Sequence, residues 1–312
     1  MTDHGVKLSP KVLLSVLSYN SPVDTVETIR CLEKQDYPNV DVIVVDNASR
    51  STCVEYIKNH IPGIKIVRLR ENLGYTGGNN VALDMGLAGG YDYVILSNDD
   101  IAIQKRDVLS NVIQTGMNQA DAGIIGVVEE DYHTGNIRAV CGCGFNLLTG
   151  RGRWLRAIPS GNAEVMEAGY VQGAFILFSR AAIGSGLRFD EKLFMYGEEM
   201  DLYFQMKAMG LKALVDTRCR VRHKALDKRY DLLQGYYIQR NRLYLIRKYA
   251  PAPHYLAAIL YCVAIELPVK VIVRCLQGQA RYAWACLWGF ADGLLRKTGI
   301  GKGPELRKKK GS

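Results

Sequence analysis

What the 312-residue chain lacks narrows the field first. Its opening ten residues hold no apolar run, so no secretory signal is expected. Its eight cysteines follow no disulfide-like framework, and the lone Cys141-x-Cys143 pair has no second pair at zinc-finger spacing. Reduced thiols in a cytoplasmic protein account for them most simply. There is no G-x-x-x-x-G-K-[ST] loop and no G-x-G-x-x-G after the first strand, which argues against a P-loop NTPase and a nicotinamide dehydrogenase. Internal repeats and low-complexity linkers are absent. In the C-terminal third the longest clean apolar run, Leu256 to Ile265, is too short to span a bilayer.

What is present is material for a core and an uneven charge. With 48% hydrophobic residues, global disorder is excluded, and the length allows one large domain with an appendage or two domains. The net charge of +9 is split: residues 1–217 carry 20 Lys and Arg against 26 Asp and Glu, residues 218–312 carry 20 against 5. The C-terminal third is therefore the part that meets something anionic: nucleic acid, a phosphorylated ligand or a membrane surface.

Apolar runs and helix-start signals alternate along the first half. Lys11–Ser18, Val40–Val45, Lys65–Leu69 and the stretch Tyr93–Leu96 read as buried strands. Between them, Ser21-Pro22-Val23-Asp24 opens a helix running to about Lys34, and Asn72–Asn80 opens another running to about Leu87. Such alternation argues a doubly wound α/β sheet. Further on, Ala168–Ser179 reads as a strand, Glu198–Met209 as a helix, and Asp231–Tyr249 as a long basic helix.

Parallel sheets bind ligands at the carboxyl ends of their strands. Asp99 and Asp100 end the fourth strand; as adjacent carboxylates they invite Mg²⁺ or Mn²⁺, or else they merely cap the following turn. Asp46 ends the second strand and suits a base N–H or a ribose hydroxyl, or an Asx-turn. Gly77-Gly78 permits close backbone approach of an anion at a helix start, or is only a turn. Glu198, Glu199 and Asp201 crowd one helix start: they complement its dipole, or they supply a general base with a raised pKa. His223, beside Arg220 and Arg222, is either structural or part of a metal or diphosphate site.

Taken together, Ser18-Tyr19-Asn20, Val44–Ser49, Asn72–Asn80, Leu96–Asp99, Gly173-Ala174-Phe175 and Phe189–Leu202 resemble, in order, the motifs of family-2 glycosyltransferases of the rhamnosyltransferase-like branch. The resemblance covers roughly residues 11–250. It implies a GT-A fold and inverting transfer of one sugar from a nucleotide-sugar. It further implies donor contacts from Tyr19, Asn20, Asp46, Asn47, Asn72, Gly77, Gly78, Asn79, Asn98 and Asp99. Metal and diphosphate contacts would come from Asp99, Asp100 and His223, and Tyr236–Asn241 resembles the segment that follows the catalytic domain. Two departures stand out. Glu198-Glu199 replaces the usual Glu-Asp, so the base is expected at Glu199, and Ser97 stands where the metal motif usually begins with Asn or Asp. The Gln-x-x-Arg-Trp motif of processive synthases is absent, which favours a single addition.

The expected organisation is a GT-A domain over residues 1–230 and a helical region over 231–312. A metal-dependent inverting transferase is the main reading. A nucleotidyltransferase making nucleotide-sugars, or a non-catalytic membrane-associated binding protein on a degenerate transferase fold, are its rivals. The donor is dTDP-rhamnose or a UDP- or GDP-sugar, the acceptor a glycan or lipid-linked hydroxyl, and a homo-oligomer stays open. Glu266, Pro268 and Lys270 interrupt the apolar stretch His254–Leu276, so surface binding rather than spanning is expected. Tyr282, Trp284, Trp288 and Phe290, with Arg274, Arg281, Arg296, Lys297, Lys302 and Arg307–Lys310, suit an anionic cytoplasmic leaflet. The alternative is core helices with a solvated basic face. No nucleic-acid motif accompanies the charge, so nucleic acid is not expected.

Overall fold

The computed structural model describes residues 9–161, 164–224 and 231–301; Lys302 and Arg307–Lys310 of the basic tail lie outside them. The first half runs β1 (Val12–Ser18), α1 (Pro22–Leu32), β2 (Val40–Asp46), α2 (Ser51–His60), β3 (Lys65–Arg68), α3 (Gly74–Ala88) and β4 (Tyr93–Asn98). Next come β5 (Ile101–Ala102), α4 (Val108–Asn118), β6 (Ala122–Asp131), β7 (Ile137–Ala139) and a separate hairpin of β8 (Cys141–Asn146) and β9 (Arg151–Leu155). Then follow β10 (Val165–Ala168), β11 (Phe175–Ser179), α5 (Arg180–Gly184), α6 (Glu198–Met209) and β12 (Lys212–His223). The chain closes with α7 (Leu232–Tyr249), α8 (Ala252–Tyr261), α9 (Leu267–Leu276) and α10 (Ala280–Leu294).

The main sheet has the order β10-β12-β6-β11-β4-β1-β2-β3. β3, β2, β1 and β4 are parallel, as the alternating pattern predicts. β11 enters antiparallel between β4 and β6, and β12 lies parallel to β6. The carboxyl ends of β1, β2, β4, β6 and β12 therefore share one edge with the start of β11.

Successive side chains of a strand face opposite ways, and the sheet is covered on both sides. Leu14 and Val16 of β1 pack with Val26, Ile29, Ile57, Val108 and Val112 of α1, α2 and α4. Leu13 faces the other way, with Ala82, Leu83, Ala182, Leu202 and Met206 of α3, α5 and α6. Each fully buried aliphatic side chain contributes about 1.5–3 kcal/mol, so both layers anchor the strand ends firmly.

α7 is the long basic helix expected over Asp231–Tyr249, and its Arg240 and Arg242 are buried. Two expectations need correction. Ala168–Ser179 is not one strand: β10 ends at Ala168, and Gly169 and Tyr170 turn aside to pair with Gly142 of β8 before β11 begins at Phe175. Second, Glu266, Pro268 and Lys270 do not break the apolar stretch. Ala252–Leu276 is one continuous helix of 25 residues, with a mean hydropathy of 2.2 in its most apolar window, of which 22% is buried. A π-helical segment over Cys262–Glu266 carries it through, Pro268 falls in the first turn of α9, and Glu266 pairs with Arg242 and Lys270. By length and composition that helix is long enough to cross a membrane.

Candidate active site

The shared strand edge gathers most of the residues singled out from the sequence. Asp46 is fully buried: one carboxylate oxygen accepts from Ser49 N–H at 3.1 Å. The other has no hydrogen-bond donor, with the Arg68 guanidinium standing 3.4 Å away. Such an acceptor is available to a base or ribose at low desolvation cost to the protein. Tyr19 and Asn20 are exposed just past β1, and Asn20 holds a positive φ of 55°. Its backbone N–H donates to Ser49 Oγ and its side-chain oxygen accepts from Arg50 N–H, which knit the ends of β1 and β2 together.

Other candidates turn out to brace this edge instead of facing a ligand. Asn47 accepts from Leu73 N–H at 2.8 Å and donates to the Gly74 carbonyl at 2.9 Å. Asn72 accepts from Gly74 N–H in a local Asx-turn. Gly77 and Gly78 are buried inside α3; a Cβ there would meet Leu73 at 2.6 Å or Leu17 at 2.5 Å. Gly78 lets α3 pack on Leu17 of β1, and Gly77 leaves room for Leu73 at the start of the helix. Asn79 is buried with its side-chain oxygen unpartnered, whereas its neighbour Asn80 clasps Phe189 and Glu191.

Asp99 accepts weakly from Tyr19 N–H at 3.4 Å, and Asn98 stands 3.4 Å from His223 Nε2. Burial and the charge of Asp100 push the pKa of Asp99 up to about 7. A nearby cation would relieve that repulsion. Among the described residues no three His, Cys, Asp or Glu side chains form a ready metal cage. Mg²⁺ and Mn²⁺, however, commonly take one or two carboxylates and leave their other positions to phosphate and water. The two adjacent hard-oxygen donors fit such an ion. His223 stands at the same end of the site. Nε2 lies 3.0 Å from Asp100 and Nδ1 3.1 Å from Glu129. Burial alone would lower its pKa, but those two carboxylates push it to about 9. Asp100 thereby links the ring to the candidate metal site.

The second acidic cluster opens α6. Glu198 is buried with one oxygen unpartnered; burial, then Glu199, hold its pKa well above the ordinary range. Glu199 is half-buried, and burial, with Glu129 adding repulsion, raises its pKa to about 7. It lines a cavity of about 450 Å³ together with Trp154, Gln172 and Gln239. Gly173 and Ala174 join this cluster to the Asp99 strand end. A Cβ on Gly173 would lie 3.6 Å from Glu199 Oε1, and the Ala174 carbonyl accepts from Asn98 N–H at 2.9 Å. Asp201, grouped with these acids in the sequence, is instead committed to the scaffold. It is fully buried and bonded to Gln205, Lys248 and Tyr249 at 2.6–2.7 Å.

Residues 15–140 match the model of glycosyl transferase family 2. That match, the relative named next and the fold together support a family-2 glycosyltransferase. The chain is also rhamnosyltransferase-like: over 207 residues it is 26% identical to the N-acetylglucosaminyl-diphospho-decaprenol L-rhamnosyltransferase of Mycobacterium tuberculosis, covering 60% of this chain and 67% of that protein. The mannosyltransferase PcManGT of Pyrobaculum calidifontis, solved with GDP-Man and Mn²⁺, superposes with a TM-score of 0.57 at 14% identity, over 93% of this chain and 88% of that one. GalNAc-T7, solved with UDP, GalNAc and Mn²⁺, gives a TM-score of 0.57 at 13% identity, over 70% of this chain; the match spans 44% of that longer protein. Both structural likenesses are likenesses of fold, and the fold is GT-A.

Several residues that shape the transferase's site escaped the sequence reading. Glu129 of β6 joins His223 to the Glu199 cluster, although nothing near it in sequence marks it out. The loop between α5 and α6 holds Phe194 and Tyr196 at positive φ of 65° and 64°, conformations that cost roughly 1–3 kcal/mol each unless held. Asn241 holds them: its side-chain amide donates to the carbonyls of Leu193, Met195 and Tyr196 at 3.0, 2.8 and 2.6 Å. Arg240 adds bonds to Leu193 and Gly299. The run of Gln239, Arg240 and Asn241 following Tyr236 and Tyr237 was the available signal.

Proposed function

We propose that the transferase moves one sugar, with inversion, from a nucleotide-sugar to the hydroxyl of a lipid-linked acceptor at an anionic membrane surface. One observation carries this reading. Glu199, titrating near neutrality, sits on a cavity wall and is tied through Gly173-Ala174 to the strand end that bears Asp99.

The donor's base and ribose would meet Asp46, Tyr19 and Asn20. Asp99 and Asp100 would hold a divalent cation, which when bound neutralises charge on the departing diphosphate. His223, 3.0 Å from Asp100, stands at the same metal and diphosphate end of the site. On the opposite side of the sugar, Glu199 accepts the proton from the acceptor hydroxyl as its oxygen bonds to the anomeric carbon. The bond from that carbon to the diphosphate breaks, and the electron pair leaves with the nucleoside diphosphate. Base catalysis of this kind contributes about 10²–10⁴-fold. The relative's name supports an L-rhamnosyl donor, for which dTDP-rhamnose is the first candidate and UDP- and GDP-sugars the next. The metal is Mg²⁺ or Mn²⁺.

The membrane part rests on the outer faces of the C-terminal helices. Leu256, Leu260 and Val263, then Val269, Ile272 and Leu276, are 53–83% exposed, and Trp284 is 55% exposed beside them. A face of this kind is larger than isolated surface apolar residues require and suits insertion into the headgroup region. We place the chain peripherally on the cytoplasmic leaflet, since buried Glu266 and Arg242 tie the long helix to α7.

Release of nucleoside diphosphate from a panel of nucleotide-sugars, with and without a polyprenyl-diphosphate glycoside, tests the proposal. Acceptor-dependent release with a new glycosidic product supports it. Synthesis of nucleotide-sugar from a sugar phosphate and a nucleoside triphosphate would favour the nucleotidyltransferase, and no turnover of any donor would favour the non-catalytic binding protein.

A further inference from the structure

The cavity that Glu199 lines has a second wall made of charge. Arg242 Nη1 lies 2.9 and 2.8 Å from the two carboxylate oxygens of Glu266, Arg151 Nη2 lies 3.1 Å from one, and Lys270 Nζ 3.2 Å from the other. Three cations thus share one anion, leaving a surplus of two positive charges on one cavity wall. Arg242 and Glu266 are buried, each side chain 4% exposed, while Lys270 is 22% and Arg151 56% exposed and free to re-aim. Buried polar atoms on this wall also lack partners: Arg242 Nε, and Gln239 Oε1 of a residue 1% exposed. A volume of about 450 Å³ falls in the range of about 300–1,000 Å³ typical of small-ligand sites. None of these groups belongs to the strand edge assigned to the donor.

Lys270 sits on α9, whose exposed residues Val269, Ile272, Val273 and Leu276 begin the apolar helix surface. The cavity therefore combines, in order, a candidate base, a cationic patch and an apolar ramp. We infer that Arg151, Arg242 and Lys270 recognise the phosphate groups of the acceptor, holding its sugar hydroxyl at Glu199 while its hydrocarbon tail follows α8 and α9. Arginine suits phosphate through its planar, multidentate donor fork, and a flexible lysine adds charge. Glu266 keeps the cations gathered before the acceptor arrives. This inference rests on Glu199 marking the acceptor side of the proposed reaction.

Arg242→Ala would leave the buried Glu266 short of its nearest partner and endanger folding, so the test uses the two more exposed cations. Arg151→Ala, Lys270→Ala and the double variant are compared with wild type on three acceptors of one sugar: a lipid-tailed glycosyl diphosphate, a short soluble glycosyl diphosphate and a neutral alkyl glycoside. Expected is a rise of about tenfold or more in acceptor KM per substitution for both phosphorylated acceptors, which corresponds to about 1.4 kcal/mol. The neutral glycoside, the donor KM and donor hydrolysis without acceptor should stay unchanged. A tail effect that the variants share with wild type assigns the tail to the helix face and the phosphates to the cations. Equal losses on neutral and phosphorylated acceptors, or none on either, would overturn the assignment. Direct binding of the soluble glycosyl diphosphate, measured without donor, separates this from failure of the catalytic reading. If no donor turns over, tenfold weaker binding to the double variant still supports the site, and equal binding refutes it.

Discussion

Glu199→Gln tests the core of the mechanism, because activity and stability should move in opposite directions. The substitution keeps size and most hydrogen bonding but cannot accept a proton, so turnover should fall at least about 10²-fold while donor KM is retained. The ordinary carboxylic value is 4.5 and burial raises Glu199 to about 7. Between those pH values the native chain keeps a proton that the unfolded chain has released. Stability contributed by this group is thus full below pH 4.5 and is lost as pH rises through 7. The gap corresponds to roughly 3 kcal/mol at pH 8, an upper bound because buried Glu198 and Glu129 face the same site and share the repulsion. Glutamine carries no charge to bury, so the variant should melt several degrees higher than wild type at pH 8 and nearly equally at pH 4.5. Wild-type kcat/KM should rise with pH to a plateau above an apparent pKa near 7, and the residual activity of the variant should lack that limb. Stopped nucleoside-diphosphate assays from pH 5.5 to 9 and thermal melts at both pH values provide the measurements. Near-normal turnover in the variant, or an equal stability gain at pH 4.5 and pH 8, would refute the assignment of Glu199 as a buried base.

Chelation with EDTA, or Asp99→Ala, should weaken nucleotide-sugar binding at least about tenfold as well as lower turnover; full activity in excess chelator would assign the diphosphate to His223 and its neighbours alone. Asn241→Ala removes three hydrogen bonds from a loop with two strained residues, so a loss of about 2–4 kcal/mol in denaturant unfolding is expected, with turnover falling more than donor binding. Leu260→Glu with Ile272→Glu should abolish flotation on anionic liposomes while soluble donor hydrolysis persists; unchanged flotation would assign that face elsewhere. Surface substitutions serve here better than ending the chain near Tyr249, because α7 packs against α10 and Arg240 bonds to Gly299.

The sequence by itself determined the parallel half of the sheet and its binding edge. Apolar runs of strand length followed by polar ends at Asp46 and Asp99 leave few alternatives, since a strand buried on both faces has no room for polar residues before it ends. The helix start at Glu198-Glu199 was equally legible, because its acids and the preceding glycine are local signals. Which polar residue faces a ligand was not legible, because that depends on partners distant in the chain. Asn47, Asn72 and Asp201 look chemically like binding residues, yet contacts with Leu73, Gly74, Lys248 and Tyr249 commit them to the scaffold. His223 could not be seen in the sequence to stand between Asp100, in the turn after β4, and Glu129 of β6. Charge alone marked the basic C-terminal third for an anionic partner, but within it Arg240 and Arg242 find carbonyls and a carboxylate brought to them only by folding. Burying a charge is tolerated when its partners are in place, and their placement is a property of the assembled tertiary structure rather than of any local run of residues.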